Sequence, residues 1–108
     1  MKYTYCFDQL RDTEENWLRR FENYDRTVKE YGGVDLERYF TADSGIVSAD
    51  SPEEACERLF MAYNRDTRPH GYTGRSMSVS DVVRLWDNTV APPVEMVFFC
   101  DSFGFRKL

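Results

Sequence analysis

The chain contains the residue types of a hydrolytic triad: one histidine, His70, followed by Ser76, Ser78, Ser80 and Asp81, with Asp101 further on. Acyl transfer by such a set needs a serine activated by the imidazole and a carboxylate that orients the ring. The spacing carries no such signature. Gly74-Arg75-Ser76-Met77-Ser78 lacks the second glycine of a G-x-S-x-G elbow, and no apolar strand precedes it. Gly71-Tyr72-Thr73-Gly74 has neither the Gly-Lys-Ser/Thr ending nor the following helix of a phosphate loop. Asp43, Asp50, Asp66, Asp81, Asp87 and Asp101 are too scattered for a calcium loop. Cys6, Cys56 and Cys100 are widely spaced without a C-x-x-C, so neither zinc nor a disulfide framework is indicated, and each is expected to pack as a small apolar residue. The reading is a non-enzymatic protein with no catalytic, cofactor-binding or metal residue.

Two roles remain for the same stretch. Alternate serines at Ser76, Ser78 and Ser80 share one side of an extended segment and, with Asp81, can hydrogen-bond amides where a buried strand starts, while Arg75 pairs with Asp81 or Asp101. Alternatively the stretch recognises a partner, since polar loops flanked by aromatics often do. The candidate contact residues are Tyr72, Gly74, Arg75, Ser76, Ser78, Ser80 and Asp81, joined by Asp101 and Phe103 in a later turn. Net charge restricts the partner. At -5, with the arginines spread from Arg11 to Arg106, the chain lacks the concentrated positive field that phosphate backbones require, so a protein is expected rather than nucleic acid. An acidic modulator or mimic acting on a nucleic-acid-processing enzyme is the alternative, and it requires a continuous stripe of carboxylates.

These residues need a scaffold, and 108 residues allow one domain spanning 1–108. Tyr3-Thr4-Tyr5-Cys6-Phe7-Asp8 alternates as a strand with an aromatic face, and Gln9 to Thr13 reads as a turn. From Glu14 to Tyr31, apolar residues spaced three and four apart predict a helix stopped by Gly32-Gly33. A short extended piece from Trp17 to Phe21, with a helix only from Asn23 to Tyr31, fits the same residues. Leu36 to Val47 reads as a strand bent or bulged near Gly45. Ser51-Pro52-Glu53-Glu54 starts a second helix with a capping box, its stripe being Cys56, Leu59, Phe60 and Tyr63, and Asn64 is a candidate left-handed terminator. Strands follow at Val82 to Trp86, Val94 to Cys100 and Phe105 to Leu108. The expected class is α+β: a mainly antiparallel sheet of four to five strands with two helices packed on one face. No segment has the apolar length of a membrane span and no apolar leader opens the chain, so a soluble cytoplasmic protein is expected, free of direct membrane contact.

The run Gly74-Arg75-Ser76-Met77-Ser78-Val79-Ser80-Asp81-Val82-Val83, followed by Asp101-Ser102-Phe103-Gly104-Phe105, resembles the signature of the YodL-like domain. Tyr3-Thr4-Tyr5, Tyr39-Phe40-Thr41, Leu59-Phe60 and Tyr63-Asn64 before Pro69 extend the resemblance over nearly the whole chain. It implies a small domain of Firmicutes and their conjugative or other mobile elements, without an established enzymatic activity or cofactor. By family analogy it also implies a cytoskeletal, MreB-like partner. The first third departs from the family pattern, being more charged and more helical, so a partner surface there differs.

Overall fold

The computed structural model describes residues 1–108. Strand β1 (Lys2–Leu10) continues past the alternating tyrosines through Asp8, Gln9 and Leu10, all buried, so the expected turn begins later. Helix α1 (Tyr24–Tyr31) precedes strand β2 (Tyr39–Ser48), and helix α2 (Pro52–Ala62) leads by a long loop to strands β3 (Val82–Asp87), β4 (Glu95–Cys100) and β5 (Phe105–Lys107). They form one antiparallel sheet in the order β2-β1-β3-β4-β5. The α+β class, five strands and two helices are those expected.

The helices divide between the faces of the sheet, which corrects their expected placement on one face. Successive strand residues point to opposite sides. On one side Tyr3, Tyr5 and Phe7 join Val83, Leu85 and Phe98 beneath Cys56, Leu59 and Tyr63 of α2. On the other, Leu10, Val82 and Phe99 join Tyr39, and Tyr24 of α1 closes on Phe99 with ring centroids 5.9 Å apart. Phe98 and Phe99 are neighbours in β4, so their clusters must lie on opposite faces. Each fully buried Leu or Phe contributes about 1.5–3 kcal/mol of transfer free energy, which makes the larger cluster under α2 the main source of stability.

Local signals set the helix ends. Ser51 Oγ accepts the Glu54 N–H at 3.1 Å, Pro52 occupies the first turn, and Glu54 reaches back to the Asp50 N–H. Asn64 is not the left-handed terminator; its amide instead donates to the Phe60 and Met77 carbonyls, tying the end of α2 to the loop before β3. In β2 the irregularity lies at Ala42 rather than Gly45, because Thr41 pairs with Asp8 while Asp43 pairs with Phe7.

The single helix expected over Glu14 to Tyr31 is not formed. A 3-10 turn at Glu14–Asn16 gives way to turns, Phe21 adopts φ +67°, and Asn23 caps α1 by accepting the Arg26 N–H at 2.8 Å. Tertiary hydrogen bonds take the amides a helix would have used: Phe21 N–H donates to Ser80 Oγ and Tyr24 N–H to Asp101 Oδ1, both at 3.1 Å. The alternative start at Asn23 is therefore the observed one, with Trp17 to Phe21 turning rather than extended.

Candidate interaction site

The loop from Arg68 to Asp81 is held by backbone acceptors more than by side-chain pairs. Arg68 donates to the Gly74 carbonyl at 2.7 Å and to Ser76 Oγ at 2.8 Å. Tyr72 folds back so that its hydroxyl donates to the Arg75 carbonyl at 2.8 Å; a Cβ on Gly74 would collide with that ring. Gly74 is thus required by close approach. The Tyr72 ring packs edge-on to Tyr63 at 5.1 Å and lies 6.0 Å from Phe7, so it is half-buried between the loop and the core.

Asp81 organises the end of the loop. Its Oδ2 accepts the Ser78 N–H at 2.8 Å and the Gln9 amide at 3.3 Å, and Gln9 also donates to the Ser76 and Arg75 carbonyls. Burial raises its carboxyl pKa from 3.8 to about 7 despite opposition from the Ser78 N–H, Gln9, Arg75 and Arg20. Ser80 is buried at φ +85°, its Oγ holding Phe21, its carbonyl accepting from Tyr39 OH at 2.6 Å and its N–H donating to Cys100 O at 2.9 Å. Arg75 pairs with neither Asp81 nor Asp101; it is exposed and reaches the Leu10 carbonyl at 3.4 Å. Asp101 receives the amides of Tyr24 and Ser102.

Ser80, Asp81 and Asp101 are therefore brought together through Cys100, and the 17–24 segment is fastened to them. Between them lies a cavity of about 130 Å³ lined in part by Gln9, Arg20, Phe21, Arg75, Ser78 and Asp81. Phe21, which lines it, is 61% exposed; Trp17 and Leu18 in the preceding turns are 57% and 79% exposed, and Phe103, in the turn just after Asp101, is 97% exposed. The 17–21 residues were missed as a surface because their helical spacing suggests a buried stripe. The Phe21–Ser80 and Tyr24–Asp101 bonds, with Phe21 at φ +67°, turn the chain here instead.

A second polar network was also missed. His70 bonds no serine; its Nε2 lies 2.8 and 2.7 Å from the two oxygens of Asp43. Tyr63 OH donates to Asp43 Oδ2 at 2.7 Å, which leaves Tyr5 OH as the donor in the 2.6 Å contact between the two tyrosines. Burial alone would raise the Asp43 pKa, but bonds from Tyr63, His70 and the Ser44 N–H outweigh it and hold the carboxyl below the usual range. An ionised Asp43 needs donors, so His70 presents Nε2–H and leaves Nδ1 free. The signal in the sequence was the alternation that puts Tyr5 on the α2 face, yet Asp43 reads there as a turn residue.

No three His, Cys, Asp or Glu side chains converge in metal-binding geometry, Cys56 and Cys100 are buried as thiols with raised pKa, and no helix is long and apolar enough to cross a membrane. Neither a curated protein nor a solved structure matches the chain. A family model, the YodL-like domain, matches residues 4–108. Since that match takes in both networks and the motif running from Gly74 into β3, the chain belongs to the YodL-like domain family.

Proposed function

We propose that this is a non-enzymatic, cytoplasmic protein-interaction domain whose docking face combines the Trp17 to Phe21 turns, the cavity beside Arg75 and Asp81, and the Asp101 to Phe103 turn. The observation that carries this reading is the set of large apolar side chains held in water on a hydrogen-bonded support, with Phe103 97% exposed. Large apolar groups held exposed beside polar ones mark association surfaces, and aromatic and Arg side chains supply most of the energy there. In this reading the source is a Firmicute or its mobile element, and an MreB-like cytoskeletal protein is the partner implied by the family.

The mimic reading receives no support from the surface. Arginines alternate with carboxylates in pairs such as Arg20–Asp12, Arg26–Glu22, Arg38–Asp35, Arg58–Glu54 and Arg106–Asp25, which interrupts a continuous acidic stripe. In-cell crosslinking of the wild type and of a Leu18→Ser/Phe103→Ser variant, read by mass spectrometry, tests the docking face. The variant is expected to keep its fold by circular dichroism and lose the main crosslinked partner. Retention of every partner by the folded variant would sink the proposal.

A further inference from the structure

The two edges of the sheet are built differently. β5 has three residues, whereas β2 has ten and, beyond its irregularity at Ala42, runs from Asp43 to Ser48 without a further bulge, Lys or Pro, the usual devices that keep a free edge from pairing. Met1 and Ala49 exchange both backbone bonds, Met1 N to Ala49 O and Ala49 N to Met1 O, each at 2.9 Å. Antiparallel pairs alternate between bonded and non-bonded, so Tyr3 with Val47 and Tyr5 with Gly45 are the bonded pairs that follow. Ile46 and Ser48 accordingly direct their N–H and C=O away from β1, off the edge of the sheet.

That edge forms one wall of a groove of about 410 Å³, whose other wall is α2 and the loop after it. Tyr5, Val47, Leu59 and Ala62 supply apolar surface. Arg58 and Arg65 are its charged lining groups, His70 and the Tyr5 hydroxyl its other titratable ones, and no Asp or Glu lines the groove, in a protein of net charge -5. Glu54 and Asp43 stand behind Arg58 and His70, while Arg65 has no ion-pair partner. An edge strand facing a helix across an apolar channel is the geometry in which an extended peptide adds a strand, with main-chain bonds giving affinity and rim side chains giving selectivity.

We infer that this groove binds an extended, acidic segment of a partner protein, which pairs with β2 at Ile46 and Ser48 and places carboxylates toward Arg65 and Arg58. It uses none of the residues of the face around Phe103 and does not depend on that reading. A second copy of the chain is the less suitable occupant, since association would bring two molecules of like net charge together.

A phage-displayed library of random peptides, panned on the wild type and on Ile46→Pro, tests the inference. Proline is tolerated on an edge where its N–H would face outward, so the variant keeps its fold but loses the donor for an added strand. Acidic sequences are expected to be enriched on the wild type alone. A synthetic peptide of the winning sequence should slow hydrogen exchange at the Ile46 and Ser48 amides, Arg65→Glu should weaken it about fivefold, and Phe103→Ala should leave it unchanged. Equal enrichment on Ile46→Pro, preference for basic sequences, absence of protection at Ile46 and Ser48, or loss of binding in Phe103→Ala would each overturn it. Sedimentation showing a wild-type dimer that Ile46→Pro abolishes would assign the edge to a second copy instead.

Discussion

Asp43 and Asp81 anchor two polar networks joined through the aromatic cluster of Phe7, Tyr63 and Tyr72, and their carboxyl groups are driven in opposite directions. Asp81 is the more deeply buried; the Ser78 N–H and the Gln9 amide on one oxygen do not offset the lost hydration. Asp43 is partly solvated and receives a phenol and an imidazole N–H, which more than replace the water it gives up. The same side chain is therefore a source of strain at neutral pH in one network and a stabilising acceptor in the other. Donor supply and burial decide between these outcomes, and neither is a property of aspartate itself.

The largest expected effect removes what the networks share. Phe7 is fully buried, with its ring 4.8 Å from Tyr63, so Phe7→Ala should cost about 3–5 kcal/mol in urea unfolding and disturb both networks at once. A cost below about 1 kcal/mol would show that they are independent.

Asp81→Asn sharpens the contrast in pH dependence. The folded pKa of about 7 lies above the ordinary 3.8, so the contribution of protonated Asp81 is fully present below the unfolded value and is lost as pH rises through about 7. The wild type should lose up to about 4 kcal/mol across that window from this group, and Asp81→Asn should flatten the loss. Identical stability-versus-pH curves would refute the assignment.

Tyr63→Phe acts on the other network, leaving Tyr5 OH and Asp43 without their shared partner, at a cost of about 1–3 kcal/mol. Because the folded pKa of Asp43 is lowered, its stabilisation exists above the unfolded value and disappears as pH falls below it; the variant should therefore lose less on acidification than the wild type. Smallest is Ser80→Ala, which frees the Phe21 N–H for about 1 kcal/mol and should speed hydrogen exchange across residues 17–23 while leaving β3 protected.

Much of the fold could be read from local pattern, for identifiable reasons. Tyr3, Tyr5 and Phe7 alternate because a strand with one aromatic face must, and the Ser-Pro-Glu-Glu start of α2 satisfies its first amides from within four residues. Of the candidate contact residues, Ser78, Ser80 and Asp81 are held in the hydrogen bonds that lead into β3, Tyr72 is partly buried against the core, and Arg75 and Phe103 are displayed. The helical spacing from Glu14 to Phe21 misleads, because periodicity registers which residues could share a face and not whether another element is there to cover it.

By itself the sequence determined the class, the strands, the second helix and the absence of a triad spacing, which rest on patterns within a few residues, and the family, which rests on motifs spread along the chain. Tertiary structure alone decided that the helices take opposite faces, that Asp43 rather than a serine meets His70, and that β2 is an open edge beside a basic groove. These depend on pairings between residues tens of positions apart. Hydrogen bonds such as Phe21 to Ser80 and Tyr63 to Asp43 outweigh local preference only once the sheet has brought their partners into reach.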